Sequence, residues 1–180
     1  MIAGMAHLDP HGDPAGAPLG MRWSTAADAE ALAELHRAAW RYAYAGIIPG
    51  LTLERMIARR GRGWWTRMHE RGFRALVAAR RDEVTGYATL GRSRGPAART
   101  GEIYELYVRP EYHGCGVGRR LFADARRELA RHGLDRLVVW ALAENTVACR
   151  FYAAMGGTEY ARAEDRFCGI PLAKIGFSWA

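Results

Sequence analysis

The sequence predicts an α+β fold, a mixed and mostly antiparallel sheet of about six to seven strands with about four helices on both faces. The first observation is the order of elements, which reads β-α-α-β-β-β-α-β-α-β-β. The second is that short charged or glycine-rich turns join the early strands, as in antiparallel hairpins. The third is a strand-helix-strand crossover at two-thirds of the chain, which adds a parallel pair.

The N-terminal half supplies the hairpin and the first helices. Residues 1–20 are rich in Gly, Pro, Ala and His without periodicity, which predicts a disordered tail before a single domain at 21–180. Thr25 and Asp28 resemble a capping box that starts the first helix. Gly61 and Gly63 are expected to interrupt or bend the second helix. The predicted elements are a strand at 21–24, helices at 26–44 and 52–71, and strands at 73–80 and 85–92.

The C-terminal half contains the crossover. Pro110 ends its first strand sharply, because proline cannot donate to a sheet ladder. The stretch 137–142 is continuously apolar, as expected for a strand covered on both faces. The predicted elements are strands at 102–109 and 137–142, helices at 117–132 and 145–155, and strands at 158–166 and 170–179.

Composition limits the classes of function. Cys115, Cys149 and Cys168 form no CxxC pair, so we expect free thiols, no disulfide framework and no metal site. No apolar run approaches the ~20 residues of a membrane span, and residues 1–20 lack the pattern of a signal peptide, so we expect a cytoplasmic protein with no membrane partner.

The chain carries a net charge of +7, almost all of it from arginine, since Lys174 is the only lysine. This excess indicates an anionic partner, either nucleic acid or a polyphosphate cofactor, or else a general bias toward arginine. A basic stripe with interleaved aromatics or a helix motif typical of nucleic-acid binding is not found, so no nucleic-acid partner is expected.

The most informative segment is a glycine loop between a strand and a helix. The loop reads His113-Gly114-Cys115-Gly116-Val117-Gly118, with Arg119 and Arg120 directly behind it. A helix N-terminus leaves backbone N–H groups free, and glycines let a bulky anion approach them. The loop lacks the lysine of a P-loop and the third glycine of a dinucleotide fingerprint. A phosphate cradle or a simple chain turn remain the two interpretations.

At these residues the chain resembles the GNAT superfamily of N-acetyltransferases, whose phosphate loop reads Arg/Gln-x-x-Gly-x-Gly/Ala. His113 stands where that family has Arg or Gln. The Leu106-Tyr107-Val108-x-Pro110 strand end, Asn145 after the apolar strand, and Phe151-Tyr152 before two glycines support the resemblance, which is specific from Glu102 to Gly157.

The resemblance implies acetyl-coenzyme A as cosubstrate. Backbone N–H groups of the loop would hold the pyrophosphate, and Leu106 and Val108 would pair with the pantetheine arm like an added strand. Asn145 would hold the cofactor or the adjacent helix. The implied cofactor-binding residues are Leu106, Tyr107, Val108, His113, Gly114, Cys115, Gly116, Val117, Gly118, Arg119, Asn145 and Tyr152.

The resemblance also implies catalytic residues. Tyr152 would protonate the leaving thiolate, although its helical spacing also suits core packing. An amine with a pKa near ~10.4 must lose a proton before it attacks, and a carboxylate is a suitable acceptor. Glu102 sits where the family often places this base, and Glu105 is the alternative. Three residues apart on a strand, the two are expected to point to opposite faces.

The predicted activity is acetyl transfer to a primary amine by direct attack in a ternary complex, and the alternative is a catalytically degenerate CoA-binding regulatory module. Trp40 and Tyr44 are candidates for the acceptor pocket, or else form a buried aromatic cluster. The acceptor, a small molecule or a protein amine, is left open, as is O-acetylation. Members of the family often pair, so a homodimer is one option.

Overall fold

The computed structural model describes residues 18–95, 97–167 and 169–180. The predicted tail therefore lies outside these residues except for its last positions, as does Cys168. The strands are β1 (Leu19–Trp23), β2 (Leu76–Arg80), β3 (Glu83–Arg92), β4 (Thr100–Val108), β5 (Arg136–Leu142), β6 (Thr158–Phe167) and β7 (Ile170–Trp179). The helices are α1 (Ala29–Tyr44), α2 (Gly50–Ala58), α3 (Arg62–Glu70), α4 (Val117–Arg131) and α5 (Thr146–Ala154), with single 3₁₀ turns at Ala26–Asp28 and Pro110–Tyr112.

The strands form one seven-stranded sheet in the order β1-β2-β3-β4-β5-β7-β6. The pairing of β4 with β5 is parallel, and the other five pairings are antiparallel. The predicted mixed, mostly antiparallel α+β fold is confirmed. Several strand boundaries differ by two or three residues, and β1, for example, begins at Leu19 rather than at Met21. The helix predicted at 52–71, with an interruption or bend near Gly61 and Gly63, is interrupted there and forms two helices. Gly61 has an extended backbone (ψ 178°), which a continuous helix cannot contain.

Helices cover both faces of the sheet. The helices α1 and α3 pack with β2 and β3 around Leu32, Leu35 and Trp65. The opposite face carries α4 and α5, whose Leu121, Phe122 and Tyr152 join a second core cluster. We refer to these as the α1 face and the α4 face. No helix within the described residues is long and apolar enough to cross a bilayer.

The sheet opens at its parallel pair. The strand β4 pairs with β5 only from Thr100 to Ile103, opposite Arg136 to Val139. Past this point both strands continue, β4 to Val108 and β5 to Leu142, without pairing to each other. This leaves a gap in the sheet with unpaired backbone along its β4 side.

His36 makes stability depend on pH. Its ring is fully buried on the α1 face, and its Nδ1 lies 2.8 Å from the Tyr87 hydroxyl. Burial, with a smaller contribution from Arg60, lowers the pKa of His36 to about 3. The unfolded chain protonates this histidine below a pH of about 6.5 while the folded protein does not, so stability falls as the pH drops from about 6.5 toward 3.

We expect urea denaturation to show that His36 accounts for about 2 kcal/mol of the stability lost between pH 7.5 and pH 5. The His36→Asn variant should lose that part of the pH dependence. His132→Gln is the matched control, because the His132 side chain is 69% exposed. An unchanged pH dependence in His36→Asn would contradict the assignment.

Candidate active site

A cavity of about 640 Å³ occupies the gap between β4 and β5. One wall is the β4 backbone from Tyr104 to Val108, and the opposite wall is Trp140 and Ala141 of β5. The glycine loop and the start of α4 form one end, α5 contributes Tyr152, and the end of α1 contributes Tyr44. The site therefore draws on both faces of the sheet.

The glycine loop presents free amide donors to the cavity. Gly114 (φ 79°) and Gly116 (φ 77°) have left-handed backbones, a conformation that side chains with a Cβ rarely adopt. The N–H groups from Gly116 to Arg119 find no acceptor among the described residues, because they belong to the first turn of α4. Free donors and the positive end of the helix dipole fit a diphosphate.

The His113 side chain is turned back toward the strand. Its Nε2 lies 3.2 Å from the Val108 carbonyl oxygen, and its ring packs edge-on against Tyr42 with centroids 4.7 Å apart. His113 therefore ties the loop to the end of β4, a structural role that does not require Arg or Gln. Cys115 is exposed and is absent from the cavity wall, although its neighbours on both sides line it.

The backbone of Leu106 and Val108 is directed into the gap. The N–H of Arg109 donates to the Thr85 carbonyl at 2.9 Å, on the β3 side of β4. Backbone groups alternate sides along an antiparallel strand, so those of Leu106 and Val108 face away from β3. This is the edge on which an extended ligand could add as a strand.

A β-bulge places Glu102 and Glu105 on the same face of the sheet. The register of β4 against β3 shifts by one residue between Ile103 and Glu105, so Tyr104 is the extra residue. Ile103 and Leu106 pack into the core of the α4 face. Both glutamates therefore lie on the α1 face, and the prediction of opposite faces is wrong, because the bulge shifts the alternation by one position.

Glu105 lines the cavity. Its carboxylate forms an ion pair with Arg60 and accepts a hydrogen bond from the Thr89 hydroxyl at 3.2 Å. Burial raises the pKa of Glu105, and the charge and hydrogen bonds of Arg60 oppose that rise. A partly desolvated carboxylate with a raised pKa is a stronger proton acceptor than one in water.

Glu102 is buried but is not part of the cavity wall. One carboxylate oxygen accepts from the Arg94 backbone N–H at 3.1 Å and lies 3.4 Å from the Ser93 hydroxyl. These contacts fix the loop after β3. Of the two candidate bases, the structure brings Glu105 to the cavity and directs Glu102 to the loop.

Tyr152 reaches the cavity from α5. Its ring packs among Phe122, Phe151, Phe177 and Trp179, and the residue is 6% exposed. Its hydroxyl makes no hydrogen bond to the residues that the structure describes. Burial raises the pKa of Tyr152, so the hydroxyl stays protonated and is a donor without a protein partner.

Asn145 caps the helix that carries Tyr152. Its Oδ1 accepts from the Ala148 N–H at 3.1 Å, which satisfies one of the free donors at the start of α5. Asn145 also lines the cavity. Of the two roles considered for it, holding the adjacent helix is the one seen here.

Tyr44 and Trp40 lie at different depths relative to the cavity. Tyr44 lines the cavity, and its hydroxyl lies 2.9 Å from that of Tyr107. Trp40 is 8% exposed, packs 5.0 Å from the Tyr44 ring, and is not part of the cavity wall. The structure therefore gives Trp40 the packing role that the sequence left open, while Tyr44 stays a candidate for contact with the acceptor.

Most of the predicted site residues meet at this cavity, and three do not. Those in its wall are Tyr44, Glu105, Leu106, Tyr107, Val108, His113, Gly114, Gly116, Val117, Gly118, Arg119, Asn145 and Tyr152. Glu102, Cys115 and Trp40 are outside it. Sequence reasoning missed Tyr42, Tyr104, Trp140 and Glu144. Trp140 lies within a continuously apolar strand, where no alternation of residues marks the side chain that borders a cavity.

The opened sheet and the helix N-terminus beside it have the arrangement expected of an acyltransferase whose cosubstrate is a long thioester with a diphosphate. The chain belongs to the acetyltransferase (GNAT) family, whose model matches residues 29–156. The predicted family and enzyme class are confirmed.

The curated relatives are larger proteins or partial matches. A mycothiol acetyltransferase from Kocuria rhizophila is 31% identical over 109 residues, covering 59% of this chain and 35% of that protein. An L-methionine sulfoximine/L-methionine sulfone acetyltransferase from Salmonella typhimurium is 29% identical over 96 residues, covering 53% of this chain and 56% of that protein. The match therefore spans only about a third of the length of the mycothiol enzyme.

Solved structures share the fold over most of both chains. The PaiA N-acetyltransferase of Thermoplasma acidophilum, in complex with coenzyme A, superimposes with a TM-score of 0.68 at 21% identity, covering 87% of this chain and 98% of that one. A putative acetyltransferase, YncA of Salmonella typhimurium with acetyl-CoA, gives 0.63 at 25% identity, covering 89% and 92%.

Proposed function

We propose that this protein transfers the acetyl group of acetyl-CoA to a primary amine by direct attack in a ternary complex. The observation that carries the proposal is the cavity between β4 and β5. It joins free amide donors at the start of α4, an unpaired strand edge, a buried hydroxyl donor and a buried carboxylate in one continuous space.

The cosubstrate would lie along the gap. The first turn of α4 would bind the pyrophosphate, and the backbone of Leu106 and Val108 would pair with the pantetheine arm. An amide of this strand edge would also polarise the thioester carbonyl, as an oxyanion hole does. His113 contributes by fixing the loop against Val108.

Two side chains carry out the proton transfers. Glu105 accepts the proton of the acceptor amine, directly or through water, and the amine nitrogen then attacks the acetyl carbonyl carbon. The C–S bond breaks as the tetrahedral intermediate collapses, and the Tyr152 hydroxyl donates to the departing sulfur. Glu102, which the family resemblance favoured as base, is the second candidate because it lies on the same face.

The experiment is release of free CoA from acetyl-CoA in the presence of a panel of amines. The panel includes amino acids and their sulfone or sulfoximine analogues, amino sugars, polyamines and peptide amines. It is broad because the relatives that are named for small-molecule substrates match only part of this chain and so do not fix its acceptor. Turnover with at least one amine is expected. Calorimetric binding of acetyl-CoA with no turnover on any amine would instead support a regulatory CoA-binding module.

Arg60 should set the acidic limb of the pH–rate profile. Glu105 is active when ionised, so kcat/KM falls as the pH drops through its pKa. Arg60 holds that pKa down. We expect Arg60→Met to move the limb to higher pH, as measured by kcat/KM across the pH range.

Arg59→Met is the control for this shift, because the neighbouring Arg59 is exposed and has no ion-pair partner in the described part of the chain. If Arg60→Met lowers the rate equally at every pH, Arg60 does not act through the ionisation of Glu105.

A cytoplasmic location and a homodimer stay predictions. Within the residues described, no cluster of three or more His, Cys, Asp or Glu side chains could hold a metal ion. The acetyl transfer proposed above requires none.

A further inference from the structure

Two tyrosines place their hydroxyl groups together in the wall of the cavity between β4 and β5. Tyr44 comes from the end of α1 and Tyr107 from β4, and their hydroxyl oxygens lie 2.9 Å apart. We call them the tyrosine pair. One hydroxyl donates to the other, so one of the two protons stays free, and no further hydrogen bond joins the pair to the described part of the chain. The pair can therefore accept a proton at one oxygen and release one from the other.

The tyrosine pair is close to both side chains that exchange protons with the substrates. Tyr107 follows Glu105 by two positions on β4, so both side chains lie on the α1 face. Burial is the main cause that raises the pKa of Tyr44, and the negative charge of Glu105 is a smaller cause in the same direction. Burial also raises the pKa of Tyr152, and Tyr44 is the next contributor. Tyr44 is therefore near enough to Glu105 and to Tyr152 to act electrostatically with both.

The proposed reaction leaves a proton on the wrong side chain after each turnover. Glu105 has gained one from the acceptor amine, and Tyr152 has given one to the sulfur. A carboxylic acid has an ordinary pKa near ~4.3 and a phenol has one near ~10, so transfer from Glu105 to the Tyr152 phenolate is strongly favourable. Burial destabilises the phenolate further. The next turnover requires this transfer.

We propose that the tyrosine pair carries this proton from Glu105 to Tyr152, an inference that rests on the proposed function. The Glu105 carboxyl proton passes to the Tyr107 oxygen, and the Tyr107 proton passes to the Tyr44 oxygen. The Tyr44 proton then passes to the Tyr152 phenolate. Water in the cavity bridges any step longer than a hydrogen bond. Three O–H bonds break and three form, so the pair is unchanged, and Glu105 and Tyr152 return to their starting states.

The other polar side chains around Glu105 are unsuited to this transfer. Arg60 keeps its protons, because a guanidinium group is not deprotonated in proteins. The Thr89 hydroxyl donates to the Glu105 carboxylate, but Thr89 is buried outside the cavity wall, as is Tyr87. Direct exchange with solvent is restricted, because the Glu105 side chain is only 12% exposed. The tyrosine pair therefore offers the hydroxyl path from Glu105 into the cavity that Tyr152 shares.

The test follows release of CoA by rapid quench, with saturating acetyl-CoA and the amine of the panel that the wild-type protein acetylates fastest. In Tyr44→Phe and in Tyr107→Phe, the first turnover should proceed at the wild-type rate. The following turnovers should be at least about tenfold slower, which gives a burst of about one equivalent of CoA. Because the two hydroxyls act in series, the double variant should be no slower than either single variant. Imidazole, a small proton carrier, should restore the later turnovers.

Tyr160→Phe is the matched control, because it removes the same oxygen from a tyrosine outside the cavity wall, and it should behave as the wild-type protein. A wild-type kcat in either variant of the pair would overturn the inference. A first turnover as slow as the later ones would also overturn it, because the pair would then act in binding or in the chemical step. Absence of turnover on every amine would instead refute the proposed function, and the inference with it. A thermal melt of each variant shows that the folded protein is being compared.

Discussion

The Glu105→Gln variant should have a kcat/KM about 10²–10⁴-fold below that of the wild-type protein, with nearly unchanged affinity for acetyl-CoA. Glutamine preserves the shape of the side chain and can still accept a hydrogen bond from Thr89. It cannot take a proton from the acceptor amine. The loss should therefore appear in turnover and not in binding of the cosubstrate, and the acidic limb of the pH–rate profile should disappear with it.

Glu102→Gln is the matched control, because it makes the same chemical change on the same strand and on the same face of the sheet. Its carboxylate holds the loop after β3, so we expect a change in kcat/KM of only a few-fold. A larger loss in Glu102→Gln than in Glu105→Gln would identify Glu102 as the base. Thermal melts of both variants separate catalysis from folding, since Glu105→Gln leaves the Arg60 charge without its partner.

The sequence predicted the elements of the fold because their determinants are local. Pro110 stops β4 near its predicted end, Gly116 precedes α4, and Gly156 follows α5 close to its predicted limit. The interruption or bend predicted near Gly61 and Gly63 has the same local origin. The extended backbone of Gly61 ends the first helical segment and precedes α3.

The arrangement of the site residues depends on features of strand pairing that cannot be read from the sequence. Two glutamates three residues apart alternate faces in a regular strand, and only the register of β4 against β3 reveals the extra residue at Tyr104. The opening between β4 and β5 likewise arises from pairing between segments that are far apart in the chain. For this reason the choice between the two glutamates required the structure.

The aromatic residues at the end of α1 show the same limit. Trp40 and Tyr44 are one helical turn apart and so lie on the same side of α1. Depth in the fold separates them, because Trp40 packs beneath the cavity while Tyr44 reaches its wall. Helical spacing identifies the side of the helix, and only the position of the sheet decides which of the two contacts a ligand.

Tyr152→Phe should lower kcat by about 10²–10⁴-fold while the KM for acetyl-CoA changes little. The substitution removes one oxygen and keeps the ring among Phe122, Phe177 and Trp179. Because burial raises the pKa of Tyr152, the hydroxyl remains protonated throughout the assay range and is available to the sulfur at every pH. The factor by which Tyr152→Phe lowers kcat should therefore be nearly the same at every pH, whereas the effect of Glu105→Gln should depend on pH.

Tyr160→Phe is the control for this prediction, since Tyr160 is 49% exposed, packs edge-on against Trp140 and is not part of the cavity wall. It should keep the wild-type kcat. If Tyr152→Phe also kept it, the hydroxyl would have no part in the departure of the thiolate, and Tyr152 would be a packing residue of the α4 face. The two outcomes differ by at least a hundredfold in kcat if general acid catalysis has its usual size, so a steady-state assay decides between them.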